Sequence, residues 1–121
     1  MTNILKIEIR PATDALDAFG KTLQQLEAGK TAEPHFSIGF ENVPQFAKVF
    51  TAKRWELISK LRETGAVSIY ELAKRLDRHY RNVHQDVSLL SEWLVIEKND
   101  QGKVHVPWDE IDVRLPLPAA A

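Results

Sequence analysis

Two amphipathic stretches joined by a three-residue turn, over residues 68–92, restrict the folds open to this chain more than any other feature. The first stretch is Ser68–Leu76. Ser68 and Glu71 fit the S-x-x-E capping box, in which each side chain satisfies a backbone N–H at a helix start. Ile69, Leu72, Ala73 and Leu76 follow at i, i+3, i+4 and i+7, an apolar stripe of helical period. The second stretch is Tyr80–Trp93. Val83, Val87, Leu90 and Leu94 recur at four, three and four residues, so one face is expected in the core. The opposite face carries Arg81, Asn82, His84, Gln85 and Ser88, side chains that hydrogen-bond to phosphates and base edges. Asp77-Arg78-His79 lies between and matches the length of a helix-turn-helix turn. On this stretch alone the pattern fits a DNA-binding helix pair and, equally, an ordinary helical hairpin with a solvated outer face; the residues after Leu94 favour the first.

The flanking residues extend this pattern. Thr51 is placed to cap a helix over 52–63, with Leu57, Ile58 and Leu61 inward, and Thr64-Gly65 ends it. Ala66-Val67 is a brief extended piece. After Leu94, Val95 and Ile96 begin a strand running to Lys98. Asn99–Gly102 has turn composition, and 103–106 is the returning strand, with Lys98 and Lys103 flanking the tip. The order from residue 52 is helix, short strand, helix, helix, β-hairpin. The expected fold class is α+β: a winged helix-turn-helix of three helices plus a β-hairpin wing, with an N-terminal strand-helix-strand extension. The boundaries read as 1–50 for the extension, 51–115 for the DNA-binding domain and 116–121 for a tail.

In the extension, Leu5, Ile7 and Ile9 alternate with charged residues as a half-buried strand, which Pro11 ends. Leu16, Phe19, Leu23 and Leu26 predict a helix over 14–28, and Gly29 stops it. Phe36, Ile38 and Phe40 form a second strand. Asn42 caps a short helix over 43–50 with Pro44 in its first turn. A last strand alternates Ile111, Val113 and Leu115 with Asp112 and Arg114. Three strands suffice for a small sheet beside the helices, and their apolar surplus suggests a dimer interface or a docking surface for a protein partner.

Composition narrows the function classes. The 121 residues include no cysteine, which excludes disulfides, thiolate metal sites and a cysteine nucleophile. His79 and His84 are five apart and point to different faces of a helix, so no metal site is expected. No Gly-rich phosphate loop, nucleophile elbow or paired-carboxylate spacing is present, and neither catalysis nor a cofactor is expected. No apolar run reaches membrane-spanning length and the N-terminus lacks a signal-peptide pattern, so a cytoplasmic protein is expected. The net charge of −1 argues against a general polyanion binder. Its distribution is uneven: residues 51–88 hold eight Lys and Arg against five Asp and Glu, an excess of three positive charges where DNA contact is expected. In that reading Tyr80, Arg81, Asn82, His84, Gln85 and Ser88 contact DNA along the second helix. Lys98 and Lys103 contact backbone at the hairpin, and Lys53, Arg54, Arg75 and Arg78 add phosphates. Asp86 is expected to pair locally with Arg81, Asn82 or Arg78.

The pieces SIYELAKRL, RNVHQDVSLLSEWLVIE and VPWDEIDVRL, within about residues 45–115, resemble small bacterial and archaeal winged-helix regulators related to the MarR and ArsR groups. The N-terminal strand-helix-strand is similar to that of short stand-alone regulators, some of them thought to be antitoxins encoded beside a toxin. The resemblance implies a homodimer on double-stranded DNA, with recognition helices in successive major grooves and wings near the minor groove. It also implies repression of the protein's own operon and a possible cognate toxin as partner. MarR-type proteins dimerise through helical arms at both ends; strands stand in those places here.

Overall fold

A computed structural model describes residues 2–10 and 36–117. The helix predicted over 14–28 and residues 118–121 lie outside the described residues. The described elements, in chain order, are β1 (Ile4–Ile9), β2 (Phe36–Phe40), α1 (Val43–Val49), α2 (Ala52–Thr64), α3 (Ile69–Leu76), α4 (Tyr80–Glu92), β3 (Glu97–Lys98), β4 (Val104–His105) and β5 (Glu110–Arg114). The architecture is mixed α and β. No helix among the described residues is long and apolar enough to cross a membrane. The chain divides into two compact units. One comprises Met1–Phe46 with Asp109–Ala121, the other Ala47–Trp108.

The first unit is built on a three-stranded sheet of order β2-β1-β5, with both pairings parallel. The register sets Ile7 opposite Ile38 on one side and Val113 on the other. Period-2 alternation then sorts the faces. Leu5, Ile7, Ile9, Ile38 and Phe40 are buried, while Ser37, Gly39, Asp112 and Arg114 on the other face are exposed. Asn3 and Asp109 close the start of the β1–β5 pair. The Asn3 N–H donates to Asp109 Oδ2 at 2.8 Å, and the Asp109 N–H donates to the Asn3 carbonyl at 2.8 Å. β5 therefore belongs with the N-terminal strands, whereas the sequence pattern assigned it to a domain spanning 51–115. Parallel strands cannot be joined by a tight turn. The chain between β2 and β5 accordingly holds the whole second unit.

In the second unit, caps set the helix ends. Thr51 Oγ1 accepts from the Arg54 N–H at 3.3 Å, and Ser68 Oγ accepts from the Glu71 N–H at 3.1 Å. The second half of the expected capping box is replaced. The Glu71 carboxylate instead takes Arg75 Nε, one turn along, at 3.1 Å. α3 ends with Asp77 in the left-handed region (φ 52°), the Asp77 N–H on the Lys74 carbonyl and the Arg78 N–H on the Ala73 carbonyl. α4 ends the same way at Leu94 (φ 66°), with the Leu94 N–H on Ser91 and the Val95 N–H on Leu90. Both are Schellman closures with a residue other than glycine at the left-handed position. Leu94, expected on the buried stripe, is consequently half exposed, while Val83, Val87 and Leu90 are buried as expected. The Leu94 carbonyl accepts from Trp108 Nε1 at 2.8 Å.

The buried side chains of α2 (Leu57, Ile58, Leu61), α3 (Leu72, Ala73) and α4 (Val83, Val87, Leu90) form the helical part of the core. Val95 and Ile96, expected to begin a strand, are buried ahead of β3. β3 and β4 pair antiparallel, and Val67 bridges Val104 with N–H···O distances of 3.1 and 2.8 Å. Asn99 ties the hairpin tip: its Oδ1 accepts from the N–H groups of Gln101 and Lys103, both at 3.0 Å. Gly102 supplies the positive φ, 78°, that the turn requires.

The Asp77 closure gives a direct test. Asp77→Gly removes a Cβ from a left-handed residue and a negative charge from a helix C-terminus, and the side chain is exposed. Unfolding in urea is expected to show a gain of about 0.5–1 kcal/mol; a loss of stability would refute the closure as described.

Candidate nucleic-acid interface

α4 divides its residues by direction. Val83, Asp86, Val87 and Leu90 are buried, whereas Tyr80, Arg81, Asn82, His84, Gln85 and Ser88 are all exposed. At 100° per residue, Arg81, Gln85 and Ser88 share a line at i, i+4 and i+7 along the middle of the exposed face. Tyr80 and His84 flank it on one side, their rings in contact at 5.9 Å between centroids. Asn82 lies on the other. Among the described residues, no ion pair or side-chain hydrogen bond engages Arg81, Asn82, Gln85 or Ser88. The face thus presents one guanidinium, two carboxamides, a hydroxyl, an imidazole and a phenol to solvent with their donors unused.

Asp86 is the exception to the polar face and turns inward. Its carboxylate, only 9% exposed as a residue, receives two guanidinium groups. Arg54 Nε from α2 approaches Oδ1 at 3.1 Å, and Arg78 Nη2 from the α3–α4 turn approaches Oδ2 at 2.8 Å. Arg54 also donates through Nη1 to the carbonyls of Lys48 and Val49 at 2.7 and 2.9 Å, which closes the C-terminal end of α1. One carboxylate thereby ties together the end of α1, the start of α2, the turn before α4 and α4 itself. Of the three local partners the sequence pattern offers for Asp86, namely Arg81, Asn82 and Arg78, the structure takes Arg78 and adds Arg54 from 32 residues away. Arg54 and Arg78, expected as phosphate contacts, have mostly buried side chains committed to Asp86. The signal available in the sequence was an acidic residue flanked at i−3 and i+1 by core valines.

The remaining candidates sit as follows. Lys98 and Lys103 are exposed and flank the hairpin tip, Lys98 in β3 and Lys103 immediately before β4. Lys53 is exposed on the first turn of α2. Arg75 is exposed but paired with Glu71. Over residues 47–108, eleven Lys and Arg stand against eight Asp and Glu, an excess of three positive charges; the rest of the chain holds five against nine, an excess of four negative. The positive charge is thus concentrated in the unit that carries the α4 face. Among the described residues, no cluster of His, Asp and Glu could hold a metal ion. An open groove of about 490 Å³ beside α2 is lined by Glu56, Lys60, Glu63 and Arg75, with Trp55 and Leu76 as its apolar part.

The sequence model of the HVO_A0114 family matches residues 49–113, more than half of the chain and every candidate contact residue from Lys53 to Lys103. No curated protein and no solved structure matches the chain.

Asp86→Ala would leave two guanidinium groups in a partly buried site without their anion. Its expected cost is about 3 kcal/mol in urea unfolding, well above the few tenths expected for Ser88→Ala on the exposed face. Equal effects of the two substitutions would show that the Asp86 pairings do not organise the helices.

Proposed function

The chain belongs to the HVO_A0114 family, and from that premise together with the α4 face we propose that it is a sequence-specific DNA-binding transcriptional regulator, acting as a homodimer. In this reading α2, α3, α4 and the Val67–β4–β3 strands form a winged helix-turn-helix. α3 supports α4, α4 enters the major groove, and the β3–β4 hairpin lies along the backbone as the wing. The single observation that carries the reading is the outward face of α4. Six adjacent side chains of the types that read bases are solvent-facing with their hydrogen-bonding groups unused, while the one acidic residue of the helix body that would repel phosphate there is turned inward.

Roles follow from chemistry. Arg81, in the central line, suits bidentate binding of guanine or a phosphate. Asn82 and Gln85 suit adenine edges. Ser88, Tyr80 and His84 supply further donors to sugar-phosphate oxygens. Lys98 and Lys103 act as point charges on the backbone at the wing. Arg78 and Arg54 act indirectly, by holding the turn and the helix through Asp86. A local excess of three positive charges is modest, so a monomer should bind weakly; two copies on an inverted repeat double the phosphate contacts and the reading surface.

The test is fluorescence anisotropy of the protein on duplex from its own upstream region and on random duplex, across a salt series. Tighter binding to the upstream duplex is expected, falling steeply with salt. Arg81→Ala should cost about 1–3 kcal/mol on the upstream duplex and much less on random DNA. The double change Lys98→Ala with Lys103→Ala should weaken both duplexes alike and flatten the salt dependence. Equal affinity for the two duplexes, unchanged by Arg81→Ala, would sink the proposal.

A further inference from the structure

β5 is the outer strand of the sheet, and among the described residues no strand pairs with its free edge. Edge strands in soluble proteins are commonly blunted by lysine, proline or a bulge. β5 instead carries apolar residues on one face, Ile111, Val113 and, just beyond its end, Leu115. Val113 is 40% and Leu115 47% exposed. We propose that this edge is where two copies of the chain associate: β5 pairs antiparallel with β5 of a second copy about a two-fold axis at Val113, joining two three-stranded sheets into one of six strands.

The argument is the self-complementarity of the strand. In a two-fold antiparallel pair, residue i meets j and j meets i. Side chains opposite each other must lie on the same face, so the axis must pass through a residue. Five positions are available. At Glu110, two glutamates would meet. At Ile111, Glu110 would oppose Asp112. At Asp112, two aspartates would meet. At Arg114, two arginines would meet. Each of these places like charges directly opposite, which is unfavourable. At Val113 alone, no like charges meet. Val113 then faces Val113, Ile111 faces Leu115, and Asp112 faces Arg114 twice.

The register with β1 strengthens this choice. Asp112 lies opposite Lys6, and Arg114 opposite Glu8. Across the joined sheet, a row then reads Lys6, Asp112, Arg114 of the second copy, Glu8 of the second copy, with the sign of charge alternating at every step. On the other face the row reads Ile38, Ile7, Val113, Val113, Ile7, Ile38. The strand thus pairs with its own copy in one register, on both faces at once. An unrelated partner would require neither the Asp112–Arg114 symmetry nor its continuation into β1.

This inference names the contact of the dimer proposed above, and its failure is separable from failure of DNA recognition. Sedimentation velocity of the full chain over micromolar concentrations should give twice the monomer mass. Asp112→Arg or Arg114→Asp alone, both exposed positions, should each weaken the dimer about tenfold. Mixing the two single variants should restore association as a heterodimer, because each then offers, in the same register, the charge that the other lacks. The chain has no cysteine. Val113→Cys should therefore form a disulfide-linked dimer on treatment with diamide, and Asp112→Cys, whose copies are out of register, should not. A protein that remains monomeric throughout, a dimer indifferent to the exchanges, or equal cross-linking at both positions would overturn this interface. Retained sequence-specific DNA binding in any of those cases would leave the α4 reading standing without it; the expected dimer behaviour with no DNA binding would do the reverse.

Discussion

The placement of α4 rests on charges that meet below its polar face. Its N-terminal residue, His79, makes no side-chain capping bond, so the start of the helix is not fixed locally in the usual way. It is fixed from beneath. The left-handed Asp77 closes α3, the Arg78 N–H reaches back to Ala73, and the Arg78 guanidinium reaches forward to Asp86. Arg54 brings α2 and the end of α1 to the same carboxylate. A buried carboxylate with two arginines gains little net stability over an apolar replacement of equal shape, because desolvation offsets attraction. What it confers is geometry: bonds of defined direction to three segments, which apolar contact alone does not supply.

That geometry sorts the arginines. Arg54, Arg78 and Arg81 are chemically identical, and all lie in the positively charged stretch. Two are drawn inward by one aspartate, and one is left outward. Only the outward one is available to a ligand, and it sits in line with Gln85 and Ser88. The same division separates Asp86 from the polar residues that surround it on the helix, removing negative charge from a surface of otherwise uncharged or positive donors. The acidic excess of the chain is carried outside the helical unit, in segments that include the exposed Glu110 and Asp112 of β5.

The sheet follows a different constraint. Three parallel strands, with a face that is apolar on β1 and β2 and polar on the reverse, bury the first face only. β5 has the same alternation but is less covered, which is why Val113 and Leu115 are left half exposed. Its register with β1 places Lys6 opposite Asp112 and Glu8 opposite Arg114.

Periodicity and punctuation alone determined much of this. The helices over 43–49, 52–64, 69–76 and 80–92, the strands over 4–9 and 36–40, the hairpin tip at Asn99–Gly102 and the exposed face of α4 all follow from apolar spacing, capping residues and glycine. These are local signals, written within a few residues of where they act. Tertiary structure decided the rest, because it depends on pairs distant in sequence. Leu94 fits the apolar stripe of α4, yet the helix closes before it and Trp108 binds its carbonyl. Glu71 fits a capping box, yet Arg75 takes its carboxylate. β5 reads as the last strand of the helical unit, yet its parallel partner is β1, more than a hundred residues earlier. Arg54 and Asp86 lie 32 residues apart, and no local pattern joins them. The reason is physical: hydrophobic period fixes which way a side chain faces, but which of several equivalent charges or strand edges it meets is fixed only when the chain closes on itself.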